Sequence, residues 1–173
     1  MQVIQCRPDR HADAILAIFN DAILNSTALY DYKARSRESM TAWFEAKARG
    51  EFPVIGIENG SGELMGFGSY GTFRAFPAYK YTVEHSVYVD ARFRGQGVGK
   101  RLLQEIITSA QGRDYHVLVG AIDASNAVSI RLHEALGFTP CGTIRQAGFK
   151  FNRWLDLVFY QLILNTPREP RDG

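Results

Sequence analysis

The segment Val83-Glu84-His85-Ser86-Val87-Tyr88-Val89-Asp90 alternates and is rich in Val and Tyr, as a half-buried strand is. It runs almost directly into Arg92-Phe93-Arg94-Gly95-Gln96-Gly97-Val98-Gly99-Lys100-Arg101, which packs three glycines and four cations into ten residues. The residues from Leu102 to Ala110 then read as an amphipathic helix. A strand that enters a glycine-rich turn and leaves it as a helix brings backbone close to a ligand. The first N–H groups of the helix are free donors with a positive dipole behind them. The combination predicts a socket for a phosphate or pyrophosphate.

Spacing decides among phosphate ligands. A Walker A loop needs Ser or Thr after Gly-Lys, and Gly99-Lys100 is followed by Arg101. A dinucleotide fingerprint needs G-x-G-x-x-G, and Lys100 stands where the last glycine belongs. What fits is Arg94-x-x-Gly97-x-Gly99. This resembles the R/Q-x-x-G-x-G/A pattern that cradles the pyrophosphate of coenzyme A in the GNAT superfamily of N-acetyltransferases. A second block, Asn126-Ala127-Val128-Ser129-Ile130-Arg131-Leu132-His133-Glu134-Ala135-Leu136-Gly137-Phe138, resembles that superfamily's N-x-x-A-x-x-L-Y-x-x-x-G-F helix. Ser129 stands where Ala is usual. His133 stands where the superfamily usually has a Tyr that protonates the departing thiolate. The segments 82–89, 131–138 and 148–156 resemble the branch that acetylates phosphinothricin and methionine sulfoximine, and the likeness runs from Ile4 to about Leu164.

At 173 residues the chain is long enough for one domain that buries roughly two-thirds of its unfolded surface. Hydrophobic residues make up 46% and charged residues 22%, an ordinary globular balance. A formal charge of +2 is too small to argue for nucleic acid or membranes. No apolar run approaches a membrane span, and Met1-Gln2-Val3-Ile4 does not open a signal peptide, so a cytoplasmic protein is expected. Cys6 and Cys141 match no metal or redox spacing and are read as free thiols. The four histidines do not group at ligand spacing, so no metal is expected.

The chain divides into a first strand over residues 2–7, a helix capped by Asp9 and a second helix capped by Ser36. A hairpin over 53–58 and 64–71 turns at Asn59-Gly60-Ser61-Gly62. An aromatic loop over 72–81 precedes the central strand, 82–90. The third helix, a strand over 115–122, the fourth helix and a hairpin over 138–145 and 154–164 follow. Residues 1–164 are expected to form a single domain, and 165–173 a disordered tail. The order resembles that of the superfamily: an α/β fold, the GNAT acyl-CoA N-acyltransferase fold, with a mixed central sheet and helices on both faces.

Acetyl transfer to an amine needs the acyl donor held, the ammonium deprotonated, the thioester carbonyl polarised and the thiolate received. By the resemblance, acetyl-CoA is the co-substrate. The backbone of Gly95, Gln96, Gly97, Val98, Gly99 and Lys100, with Arg94, would take its pyrophosphate. Val87, Tyr88 and Val89 would pair with the pantetheine arm, where the strand is implied to splay from its neighbour, and an N–H such as that of Val87 would reach the carbonyl oxygen. Asn126 caps the fourth helix and would bond the pantetheine arm. Glu84, on the same strand, is the candidate base or ammonium ligand. An unperturbed imidazole titrates near neutrality, so His133 would protonate the thiolate or take the amine proton. Arg74 would pair with the acid group of the substrate. The implied enzyme acetylates the α-amine of a small amino acid such as methionine sulfoximine, methionine sulfone or phosphinothricin, by direct transfer, as a homodimer. The alternatives are a polyamine, aminoglycoside or protein N-terminus as acceptor, or an acetyl-CoA-binding module without turnover.

Overall fold

A computed structural model describes residues 1–172. Its strands are β1 (Gln2–Gln5), β2 (Val54–Glu58), β3 (Leu64–Thr72), β4 (Thr82–Val89), β5 (Val117–Asp123), β6 (Thr139–Lys150) and β7 (Arg153–Ile163). Its helices are α1 (Pro8–Asn25), α2 (Arg37–Arg49), α3 (Val98–Gln111) and α4 (Ala127–Glu134). The strands form a mixed sheet in the order β1-β2-β3-β4-β5-β7-β6. The chain forms two compact units, Met1–Gly71 with Ser86–Ile106, and Thr72–His85 with everything from Ile107 onward. Both β4 and α3 pass from one unit to the other.

In the first unit β1, β2 and β3 are antiparallel neighbours. Ile15, Ile18, Phe19 and Ile23 of α1 are buried at helical spacing. Each such side chain contributes about 1.5–3 kcal/mol of apolar burial. Phe19 anchors an aromatic cluster, edge-on to Trp43 at 5.4 Å, Phe67 at 4.9 Å and Tyr88 at 5.1 Å. Asp9 is not the cap of α1. Pro8, whose fixed φ and missing N–H suit the first helical position, opens the helix after Arg7. His11 Nδ1 accepts the Arg7 N–H at 2.8 Å, and Asp9 pairs with the Arg7 side chain. Ser36 does cap α2, accepting from the Ser39 N–H.

In the second unit β5 runs antiparallel to β7 from Val117↔Ile163 to Asp123↔Leu157, and β7 pairs with β6. The last hairpin is longer than expected. Phe151 and Asn152 both have positive φ, so a two-residue turn closes it at Lys150↔Arg153. A bulge between Ile144 and Gly148 bends β6, where Gln146, also at positive φ, donates its N–H to Asp156 Oδ1 at 2.8 Å. Residues 165–172 form no helix or strand, and Thr166 and Arg171 hydrogen-bond to Tyr115, His116 and Tyr81. Cys6 is buried, which pushes its thiol up to about 12; Cys141 is exposed.

Candidate active site

The glycine-rich turn lies in the first unit. Asp90 ends β4, donates its N–H to the Met65 carbonyl and accepts the Arg92 N–H at 2.9 Å. Gly95 and Gly97 have φ of +77° and +81°, and a side chain at either would meet nothing within 4 Å. Backbone conformation, not crowding, therefore demands glycine there, and the surrounding space is open. The first helical bond of α3 runs from the Arg101 N–H to the Gly97 carbonyl. The N–H groups of Val98, Gly99 and Lys100 precede it, at the positive end of a helix of 14 residues. Left-handed glycines opening onto free helical donors make a cradle that suits a pyrophosphate.

The cations around this cradle are unequally engaged. Arg92 binds Asp90 and Glu63. Arg101 binds Glu105. Arg94 is turned onto Asp21 at 2.8 Å, with its Nε 3.3 Å from the Val89 carbonyl. Lys100 makes no ion pair among the described residues.

β4 carries Glu84 in its first half and Val87, Tyr88 and Val89 in its second. Its parallel ladder with β5 covers Thr82↔Val117 to His85↔Gly120, and the strand continues to Val89. Alternation along the strand exposes Glu84 and buries Val83 and His85. Glu84 is nonetheless crowded enough that desolvation raises its pKa, and the cation of Arg74 pulls it back. Arg74 is exposed, with its guanidinium 5.4 Å from the Phe73 ring. A carboxylate and a guanidinium of the second unit thus feel each other's charge.

His133 is buried on α4. Its Nδ1 lies 2.7 Å from the Ser129 carbonyl and its Nε2 lies 3.0 Å from Nε2 of His85. Burial lowers the pKa of His133, against the pull of the Ser129 carbonyl. Burial first, and then His133, push His85 down to about 3, with the Val119 backbone opposing them least. Gly120 makes room for the pair. A Cβ there would lie 3.0 Å from His85 Cε1 and 3.1 Å from His133 Nε2. Phe138 closes over both rings, at 5.2 and 5.0 Å. His85 is the residue that sequence reasoning missed. Its signal was strand alternation, which sets it on the buried face, opposite a glycine in the next strand.

Asn126 Oδ1 accepts the Ser129 N–H at 3.1 Å and caps α4. Trp43 belongs to the aromatic cluster of the first unit, while Phe76 and Trp154 are exposed and Lys150 is buried. A cavity of about 420 Å³ at Arg10, Glu58 and the 59–62 turn holds none of the predicted site residues. No group of three His, Cys, Asp or Glu able to hold a metal occurs among the described residues. None of the described helices is long and apolar enough to cross a membrane.

Residues 19–138 match the family model described as Acetyltransferase (GNAT) family. The chain is 46% identical over 154 residues to the L-methionine sulfoximine/L-methionine sulfone acetyltransferase of Pseudomonas paraeruginosa, covering 89% of this chain and 90% of the relative. Among solved structures, an N-acetyltransferase from Staphylococcus aureus Mu50 is 46% identical with a TM-score of 0.91, covering 94% of this chain and 97% of that one. A GNAT superfamily phosphinothricin acetyltransferase from Sinorhizobium meliloti, in complex with acetyl-CoA, is 29% identical with a TM-score of 0.93, covering 99% of this chain and 94% of that one. The glycine cradle at the start of α3 and the capped helix α4 are thus features of a shared fold, and the chain belongs to the acetyltransferase (GNAT) family.

Proposed function

We propose that this acetyltransferase moves the acetyl group of acetyl-CoA to the α-amine of a small amino acid such as methionine sulfoximine, methionine sulfone or phosphinothricin. The observation that carries the reading is the coupling of Glu84 to Arg74: a carboxyl raised by desolvation and drawn back down by the Arg74 charge. An α-amino acid presents one ammonium and one acid group. Glu84 meets the first and Arg74 the second. The names of the relatives support the same acceptor class.

In this scheme the backbone of Gly95 to Lys100, with Arg94, holds the pyrophosphate, and Arg94 exchanges Asp21 for it. The backbone of Val87, Tyr88 and Val89 takes the pantetheine arm; the support is that the ladder with β5 ends at His85 while β4 goes on. Asn126 adds a hydrogen bond to that arm. Glu84 takes the ammonium proton, directly or through one water. The amine nitrogen then bonds to the thioester carbon, whose oxygen receives the Val87 N–H. As the carbon–sulfur bond breaks, the electron pair leaves on sulfur, the nitrogen's second proton passes to that thiolate, and His133 serves the sulfur as a hydrogen-bond donor. Transfer is direct, with no acyl-enzyme.

The working unit is a cytoplasmic homodimer. Its support is the outer strand β6, exposed along nearly its whole length, with Ile144, Phe149, Phe151 and Trp154 exposed around it. The test of function is a thiol-release assay with acetyl-CoA over amino acids, their sulfoximine, sulfone and phosphinate analogues, polyamines and aminoglycosides. Turnover is expected with the amino-acid analogues. Preference for a polyamine or aminoglycoside overturns the acceptor class, and no turnover with any amine leaves a binding module. Light scattering in solution reads the dimer.

A further inference from the structure

We propose that His85 is a positioning residue for acetyl transfer: its Nε2–H occupies the Nε2 lone pair of His133, fixes His133 as the Nδ1–H tautomer and joins the two imidazoles into one proton-holding unit. The proposal rests on the reading above, in which His133 serves the leaving thiolate.

The wiring follows from one group that cannot donate. The Ser129 carbonyl, 2.7 Å from His133 Nδ1, only accepts, so that nitrogen carries a proton. In a neutral ring, His133 Nε2 is then a lone pair. The 3.0 Å approach of His85 Nε2 needs a proton between the two nitrogens, and His85 supplies it. The donors run one way, from His85 to His133 to the Ser129 carbonyl, and two protons sit on four nitrogens. The remaining nitrogen, His85 Nδ1, is buried with no hydrogen bond among the described residues.

Of the groups packed against the pair, only the Val119 backbone and the Ser129 carbonyl favour a third proton, and burial outweighs both. Phe138 is apolar, and Gly120 on β5 has no side chain to offer. Tyr160 of β7, 6.5 Å from His133 between ring centres, donates its hydroxyl to Glu134 Oε1 of α4 at 2.9 Å. Glu84, the ionisable neighbour of His85 on β4, points to the other face of the strand. Burial then holds both rings neutral.

The consequence separates the two candidate bases. His133 has no vacant lone pair, so the ammonium proton goes to Glu84, and His133 reaches the thiolate only by sharing the Nδ1–H that it gives to the Ser129 carbonyl. Without His85, the His133 Nε2 lone pair is released, and the ring titrates at a higher pH.

Long-range ¹H–¹⁵N spectra of ¹⁵N-histidine protein test the wiring directly, alongside the pH profile of kcat with methionine sulfone. In the wild type, one Nδ1–H tautomer and one Nε2–H tautomer, coupled to each other, are expected at neutral pH. His85→Leu should move the His133 midpoint upward by about one pH unit or more and add a limb to the kcat profile in the ordinary histidine range. His85→Gln, whose amide N–H replaces the donor, should restore the wild-type tautomer and profile. A wild-type His133 that is cationic or protonated on Nε2 at neutral pH overturns the proposal, and so does a His85→Leu protein with unchanged spectrum and profile. Should His85→Leu fail to fold, the wild-type spectrum decides alone. Absence of turnover with every amine sinks the proposed reaction, while the spectra still report on the pair.

Discussion

Gly120 stands where a single methyl group would touch both imidazoles of the buried pair, 3.0 Å from His85 and 3.1 Å from His133. It faces His85 directly across the β4–β5 ladder. The site at this point is shaped by a missing side chain.

Gly120→Ala should therefore separate the two rings. Overpacking of this kind costs about 1–3 kcal/mol. Urea unfolding of the variant checks the loss, and the His85–His133 coupling should vanish from its ¹⁵N spectrum. Unchanged stability and an intact coupling would show that the strand moves aside.

Glu84→Gln should lower kcat by roughly 10²–10⁴-fold, the usual yield of a positioned base. Acetyl-CoA affinity by calorimetry should hardly change. A rise in KM alone would make Glu84 an ammonium ligand and place the base elsewhere.

Arg74→Ala carries two readouts. KM should rise far more for an amino-acid acceptor than for its amide, because a guanidinium pairs with two acid oxygens and not with an amide. The acid limb of the pH–rate profile should also move to higher pH. Arg74 holds the Glu84 carboxyl below where desolvation alone would put it, so removing the cation lets that pKa climb. Equal losses on acid and amide with a stationary limb would release Arg74 from the site.

Gly97→Val places a β-branched residue at φ +81°, which strains the turn whatever space lies around it. Acetyl-CoA binding should weaken severely while the protein remains folded by circular dichroism. Unchanged affinity would remove the pyrophosphate from this turn.

The buried pair also sets a pH dependence of stability. Both histidines have folded pKa values below their unfolded values, so the unfolded chain binds the protons first as pH falls. Their contribution is complete above the ordinary histidine range. It is lost progressively below about pH 6.5, toward about 3 for His85. Thermal melts should show Tm falling between about pH 7 and 5. The lowered carboxyls Asp90, Asp9 and Glu38 act only below that window. Glu84, whose pKa is raised, works in the opposite sense, since its folded form takes up a proton before the unfolded one. His85→Leu should flatten the slope in this window.

Local chemistry was legible in the sequence wherever a residue type had one use. Ser36 and Asn126 are side-chain caps, and each accepts the N–H three residues on. The 59–62 turn was read from Asn and Gly, and Asn59 Oδ1 does gather the Ser61 and Glu63 N–H groups. Legibility failed where backbone overrode composition. Phe151-Asn152 forms a turn that favours Asn-Gly, so β6 and β7 proved longer than their turn signal allowed. It failed again at Asp9, because Pro8 and His11 share the helix start. The histidine pair was invisible because its members lie 48 residues apart and meet only once β4 and α4 have folded.

The alternation of Glu84 and His85 gives the β4–β5 register a duty beyond cohesion. A slip of one residue would turn the carboxylate into the dry pocket beside His133 and swing the imidazole into water, exchanging an acid for a base on each side of the sheet. An insertion between Val83 and His85 would thus invert the polarity of the site in one step.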